Sequence, residues 1–456
     1  LPIQILLLLL FLLSDSLHIL VSRLTSKTVD PTERDFSDPV CSLVVLNWNG
    51  RHLLEESLPA LMRAVRFTGK NHEIIVVDNG SSDDSLTWLQ ENYPEVRLIR
   101  LEKNLGFGEG NNRGVEAASH EITVLLNNDM IVEKDFLPPL LQAFVDPDVF
   151  AVSSQIFFPL DKLRQETGNT LVRFRWGYPY FSHEPIQKLH YFRRYVPVLW
   201  AGGGSSAFPR RRFLALGGFS PLFNPCYFED TDLSHRAWRR GWKVLLAAHS
   251  RVLHKHRSSS EVRFSPSQLA TLMEVRKLWY VWRNYEYFTL LGHLLFLPFR
   301  FYKSSLFFTY LHAIQKIPWI LCQRIQEPQR KISENRLFHW IQRSYTDHSH
   351  FSSPQPWTNS SSLRILTVSA YLPRLGHHGG GNRVFHLIQE VSKKHEVSVY
   401  SFVETQEEAA SASSLLPFCK RVETVRRRHF TPVSVFPYEP FEEFNCPDFR
   451  ESLEAF

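Results

Sequence analysis

Four short stretches place acids and a histidine where they could do chemistry. Asp78 ends the apolar run IIVVD and precedes Asn-Gly-Ser-Ser. A carboxylate there can accept hydrogen bonds from a nucleobase imide or a ribose hydroxyl, and it equally suits an Asx turn cap. Asp129 ends LLNND, where a carboxylate can hold a hard divalent cation that bridges a diphosphate, or simply close a turn. In FEDTDLSHRAWRRGW, Glu229, Asp230 and Asp232 open an amphipathic helix. Acids in a first helical turn often serve only as caps and dipole partners. Three of them after an aromatic-rich loop and the run Gly202-Gly203-Gly204 point to general-base work. His254, in RVLHKHRSSS, is a candidate metal or phosphate ligand, against the commoner structural role of a lone histidine. The cluster Arg210-Arg211-Arg212 could face a diphosphate or lipid, or form a solvated patch.

The elements that must position these groups alternate between strand and helix. CSLVVLNWNG and HEIIVVDNGSSDDS each run from a buried strand into a polar turn, with a Leu/Ala-rich helix from Leu53 to Val65 between them. EVRLIRLEKN reads as a third strand, NNRGVEAAS as a helix and EITVLLNND as a fourth strand. Such alternation predicts a parallel sheet with ligands at the carboxyl ends of its strands, and each polar cluster just named lies at such an end.

The 456 residues exceed one ordinary core and predict two to three domains. A content of 43% hydrophobic and 21% charged residues excludes a mostly unstructured chain. The net charge of +6 suits anionic lipid or phosphorylated small molecules. No long Lys/Arg run or DNA-binding motif is present, so nucleic acid is not an expected partner. Five scattered cysteines without a CxxC pair argue against a zinc ribbon or disulfide framework and fit a reducing compartment.

Residues 1–38 read as an apolar leader and a polar linker. The stretch Ile3–Leu13 is too short to span a bilayer, leaving a signal-peptide core and the end of a membrane helix as open readings. Residues 285–325 are aromatic, basic and helical, broken by Pro298 and Pro318. They fit a helix on a membrane surface or a helical subdomain packed on the sheet. Residues 326–362 read as a linker, and 363–456 restart a strand–loop–helix–strand pattern.

Taken in chain order, VVLNWNG, VVDNGSSDDS, NLGFGEGNNRG, LLNND, GGGSSAFPRR, FEDTDLSHRAWRRGW and VLHKHRSSS resemble glycosyltransferase family 2, inverting enzymes of the GT-A fold. Within it they look most like the rhamnosyltransferase-like enzymes that build bacterial surface polysaccharides. The resemblance covers about 39–284 and implies an α/β nucleotide-diphospho-sugar transferase domain. It implies that Asn47 and Asp78 contact the base, and that Asn104, Gly106 and Asn112 shape the nucleotide pocket. Asp129 would bind Mg²⁺ or Mn²⁺ at the last position of a DxD motif that here reads Asn127-Asn128-Asp129, without its first carboxylate. His254 would face metal and diphosphate, Asp230 would be the catalytic base with Glu229 beside it, and Gly203, Gly204 and Asp232 would line the acceptor or sugar side. The implied donor is a dTDP- or UDP-sugar, carrying rhamnose or a similar hexose. The implied acceptor is a polysaccharide or lipid-linked glycan, at the inner face of the cytoplasmic membrane.

The segment RILTVSAYLPRLGHHGGGNRVFHLIQEVSKKHEVSVYSF resembles the start of glycosyltransferase family 4, implying a truncated, Rossmann-like GT-B unit that is inactive alone. Two rivals remain for the first domain. A sugar nucleotidyltransferase needs a Gly-rich basic loop after the first strand, and LNWNGRHLL has one glycine. A non-catalytic sugar-nucleotide-binding module would show no turnover for Asp230→Asn to remove.

Overall fold

The computed structural model describes residues 2–24, 39–159, 166–175, 178–184, 195–254, 265–296, 304–327, 330–346, 364–369, 371–374 and 379–426. The chain divides into two compact units, Leu1–Asp347 and His348–Phe456. The first runs α1 (Pro2–Leu24), β1 (Cys41–Asn47), α2 (Arg51–Thr68), β2 (Glu73–Asp78), α3 (Ser85–Asn92), β3 (Arg97–Arg100), α4 (Phe107–Ala117), β4 (Ile122–Asn127), β5 (Met130–Val132), α5 (Leu137–Gln142), β6 (Val149–Phe157), β7 (Glu166–Thr167), β8 (Thr170–Arg175), β9 (Tyr178–His183), β10 (Val196–Pro197), β11 (Ser205–Pro209), α6 (Arg210–Ala215), α7 (Glu229–Arg239) and β12 (Lys243–His254). Among the described residues five helices follow: α8 (Pro266–Asn284), α9 (Tyr287–Leu295), α10 (Ser304–Ile314), α11 (Ile317–Gln326) and α12 (Glu334–Thr346).

The central sheet has the order β10-β12-β6-β11-β4-β1-β2-β3. Strands β1 to β4 are mutually parallel where they pair, as the sequence predicts. The alternation of side chains across a strand explains the apolar runs. Val44, Ile75 and Val77 enter one core with α7 and α8, while Leu43, Val45, Ile74 and Val76 enter another with α2 and α5. Antiparallel β11 lies between β4 and β6, converting a parallel half-sheet into a mixed one. Helix α4 packs so closely on the sheet that a Cβ on Gly114 would come within 2.3 Å of Val44.

Two sequence expectations change here. The supposed leader is part of the fold: α1 buries Leu7 and Phe11 in the main core and packs against α11 and α9. The supposed linker of 326–362 contains α12, whose Leu337, Phe338 and Ile341 are buried in the same core; residues 347–363 lie outside the described ones. Both packings depend on distant partners. The Arg324 guanidinium is fully buried and donates to the carbonyls of Trp282, Arg283 and Tyr285, to Ser14 Oγ and to Asp15. A cation at the end of α8 satisfies carbonyls that the helix itself cannot. Residues 285–325 prove helical in their described parts, packed on α1 and α8.

Glu334, in the first turn of α12, yields a pH prediction. Its carboxylate accepts from the Glu286 amide (3.1 Å) and Thr289 Oγ1 (2.8 Å), yet burial raises its pKa to about 7. The folded chain therefore holds a proton there that the unfolded chain releases near its ordinary value of 4.5. The associated stability is complete below that value and is lost as pH rises through about 7, a change of up to roughly 3 kcal/mol. In urea melts, Glu334→Gln should flatten the fall in stability across this window; an unchanged fall would place its cause elsewhere.

The second unit holds β13 (Arg364–Ser369), α13 (Gly379–Ser392), β14 (Glu396–Val403), α14 (Gln406–Ala410) and β15 (Arg421–Arg426). Its three strands are parallel in the order β13-β14-β15 around a small core that includes Phe385, Ile388 and Val399. The glycine run 379–381 opens α13.

Candidate active site

The parallel strands end together, and their side chains tie the ends to one another. Asn47 lies opposite Asp78 in register, and its Nδ2 donates to Asp78 Oδ1 at 3.4 Å. Asn128 Nδ2, just beyond β4, donates to Asn47 Oδ1 at 2.9 Å. Ser81 N donates to Asp78 Oδ2 at 3.1 Å. Asp78 is thus fully buried in a turn, with both oxygens engaged. Gly50 fits because no Cβ could: one would stand 2.3 Å from Asn128 Nδ2.

The next loop is built from asparagines. Asn79 accepts from the Leu105 amide at 2.8 Å and donates to Asn104 Oδ1 and the Gly106 carbonyl, both at 3.2 Å. Asn104 Oδ1 also accepts from the Gly106 amide at 2.9 Å. Gly106 has φ +89, and a Cβ on it would lie 1.9 Å from Asn224 Oδ1. Gly106→Ala should therefore destabilise the unit by about 2 kcal/mol or more, because strain and collision add; a urea midpoint equal to wild type would contradict this. Asn112 clamps the backbone of Phe219, accepting from its amide and donating to its carbonyl, each at 2.9 Å. It shapes the site by fixing the loop that leads to the acidic helix.

Asp129 and His254 come together although 125 residues separate them. Antiparallel pairing of β5 with β12 sets His254 opposite Met130. His254 Nε2 lies 3.0 Å from Asp129 Oδ2, while Asp129 Oδ1 is buried with no hydrogen-bond partner. A buried, unsatisfied carboxylate oxygen beside an imidazole is a donor set suited to a divalent cation. Among the described residues, no group of three or more His, Cys, Asp or Glu is assembled as a ready cation site.

The acids of α7 follow a strained approach. Tyr227 and Phe228 both have φ +73, a conformation that bulky residues rarely adopt. This turn delivers Glu229 and Asp230 in the first turn of α7. Asp230 accepts from the Thr231 amide at 2.6 Å, Thr231 Oγ1 at 3.2 Å and the Gly203 amide at 3.4 Å, and keeps part of its surface open. Glu229 is closed off, with Oε2 buried and unpartnered. Burial raises both carboxyls, Glu229 well above its ordinary value with the neighbouring Asp230 charge adding to the effect. The bonds donated to Asp230 oppose that rise, so the proton of the pair belongs on Glu229 and the charge on Asp230.

Gly203 and Gly204 join the two halves. The Gly203 amide reaches Asp230, while the Gly204 carbonyl accepts from the Asn127 amide at 2.9 Å, two residues before Asp129. A Cβ on Gly203 would meet Phe107 at 2.9 Å, and one on Gly204 would meet Asn127 Nδ2 at 2.8 Å. Their backbone, with no side chain interposed, holds the acidic helix against the Asp129 strand end.

One expectation is corrected. Asp232 does not line an acceptor site: it is fully buried, bonded to Arg236 and Arg283 at 2.9 Å each and to Asn284 at 2.9 Å. Arg210, Arg211 and Arg212 form a partly solvated patch, in line with the second reading of that cluster, and each is tied to the fold. Arg210 donates to the Val115 and Glu116 carbonyls, Arg211 pairs with Glu121, and Arg212 donates to the Val149 carbonyl and lies over the Trp242 ring. Asn79 and Asn128 were not singled out from sequence, although each is a polar residue at a strand end beside one that was.

Residues 42–212 match the family described as "Glycosyl transferase family 2". The O-antigen biosynthesis protein RfbC of Myxococcus xanthus is 26% identical over 231 residues, 49% of this chain and 18% of that protein. The N-acetylglucosaminyl-diphospho-decaprenol L-rhamnosyltransferase of Mycobacterium tuberculosis is 26% identical over 252 residues, 51% of this chain and 80% of that one. Among solved structures, GalNAc-T7 with UDP, GalNAc and Mn²⁺ overlays with a TM-score of 0.42 and 17% identity, covering 53% of this chain and 47% of that one. The mixed sheet of the first unit, with this family match across β1 to α6, is a GT-A-type α/β fold. The match ends at residue 212, and the GT-B expectation for the second unit rests on its sequence resemblance alone.

Proposed function

From a chain whose residues 42–212 match glycosyl transferase family 2, we propose that the first unit is an inverting glycosyltransferase that uses a nucleoside-diphosphate sugar. The observation that supports this best is the meeting of Asp129, His254 and the Gly202–Gly204 bridge with the Glu229–Asp230 pair at one end of the sheet. Asp230 takes the proton of an acceptor hydroxyl as that oxygen forms its bond to the anomeric carbon. The bond from that carbon to the diphosphate oxygen breaks, and the nucleoside diphosphate leaves with the electron pair. Glu229, neutral and closed off, keeps a second negative charge away from the base. Base assistance of this kind contributes about 10²–10⁴-fold.

Asp129 and His254 are the residues that would hold Mg²⁺ or Mn²⁺. A bound cation supplies charge neutralisation of the departing diphosphate. The strand-end turns at Asn47, Asp78 and Asn104–Gly106 would bound the nucleoside. The rhamnosyltransferase and O-antigen relatives support a rhamnosyl or similar hexosyl donor and a polysaccharide or lipid-linked glycan as acceptor; dTDP or UDP as its nucleotide follows from the sequence resemblance.

Calorimetric titration of the full chain with dTDP, UDP and GDP, with and without Mn²⁺, tests this reading. We expect metal-dependent binding of one of the pyrimidine nucleotides that Asp129→Ala weakens at least tenfold. A folded chain that binds none of the three in either condition would overturn it.

A further inference from the structure

Helix α1 is inside out for a helix in water. Its buried side, at Leu7, Phe11, Ser14 and His18, carries two polar residues and is clamped to the fold through Asp15 and Arg324. Its outward side carries the exposed Leu6, Leu9, Leu13, Leu17 and Leu20, with one polar residue, Ser16, whose hydroxyl donates to the Leu12 carbonyl; Leu9 is 56% exposed. Burying polar groups against protein while turning leucine outward is the pattern of a helix whose outer solvent is hydrocarbon. No described helix is long and apolar enough to cross a membrane, and the Asp15 clamp holds α1 along the protein.

A second element repeats the pattern. Helix α10 exposes Phe307, Phe308 (72%) and Leu311, and runs through Gln315 and the exposed Lys316 into α11, the helix against which α1 packs. Residues 287–326, which span α9 to α11, contain Arg300, Lys303, Lys316 and Arg324 and neither Asp nor Glu. Of the described cations Arg324 is buried against Asp15 and Lys316 is exposed; exposed apolar side chains beside Lys316, on a chain of net charge +6, complement an anionic bilayer, whose headgroups meet the cation while the acyl region takes the leucines and phenylalanines. A second protein copy with the same net positive charge would lack that complementarity.

We propose that the leucine face of α1, together with the exposed aromatic end of α10, is a lipid-docking surface that seats the first unit in one leaflet of an anionic membrane. It stands on different residues from the transferase site, and flotation reads it without any sugar or nucleotide. The full chain is floated with vesicles containing phosphatidylglycerol and with vesicles of phosphatidylcholine alone. The wild type should float with the anionic vesicles and less with the zwitterionic ones. Leu9→Glu combined with Leu13→Glu, and separately Phe308→Glu, should each cut the bound fraction by roughly tenfold or more without moving the thermal melt. The proposal is overturned if the wild type stays with neither vesicle, if both variants float like wild type, or if the wild type forms dimers that the α1 variant dissolves and binds no vesicle.

Discussion

Asp230→Asn should lower kcat by about 10²–10⁴-fold while leaving nucleotide affinity and the melting curve close to wild type. The amide's one oxygen can keep the 2.6 Å bond from the Thr231 amide, and only the long 3.4 Å bond from the Gly203 amide to the other oxygen is given up, so the turn at the start of α7 survives. The capacity to take a proton is removed. Loss of nucleotide binding together with activity would show that Asp230 holds the donor and is not the base. Glu229→Gln is the companion variant. Because Glu229 sits neutral beside a charged Asp230, replacing its carboxyl by an amide should retain most of the turnover. The pH profile carries a sign as well. Burial raises the Asp230 carboxyl, so the rising acid limb of kcat/KM should lie above the ordinary aspartate range. In Glu229→Gln that limb should stay in place, since Glu229 carries no charge while Asp230 titrates.

The second large effect concerns stability. Asp232→Ala should destabilise the first unit by about 3–5 kcal/mol, because it leaves the buried guanidiniums of Arg236 and Arg283 without their shared anion. Arg236 also donates to the Gly218 carbonyl and Arg283 lies on α8, so the loss would loosen the loop before α7 and the helix behind it together. Urea unfolding of the variant measures this directly. A raised KM for acceptor with an unmoved unfolding curve would instead return Asp232 to the acceptor side.

Much of the site was legible because parallel-strand ends are written in short, contiguous code. Asp78 and Asp129 each terminate an apolar run, and the sheet must gather such ends on one edge. The Glu229–Asp230 pair was legible for a similar reason, as acids that open a helix after an aromatic-rich loop. Asp232 was misread because its partners Arg283 and Asn284 lie on another helix about fifty residues on, and no local pattern reports such a contact. For α1, leucine-rich sequence could be read as a leader; the burial of Leu7 and Phe11 and the Asp15–Arg324 pair, made with residues some 300 positions on, tie it to the fold. The insertion of β11 between β4 and β6 had no sequence signal beyond a short apolar stretch.

That insertion bears on how the chain is made. Strand β4 is the apolar ITVLLN, and one of its edges is covered only by β11, which begins at Ser205, 78 positions after Asn127. At synthesis rates of ~5–20 residues per second, the edge waits roughly 4–16 s on the ribosome before its partner emerges. During that interval the half-sheet of β1 to β4 presents unpaired backbone on its most hydrophobic side, the type of edge that captures other chains. Any variant that slows translation or folding between residues 127 and 205 would therefore reduce soluble yield without altering a single contact of the finished protein.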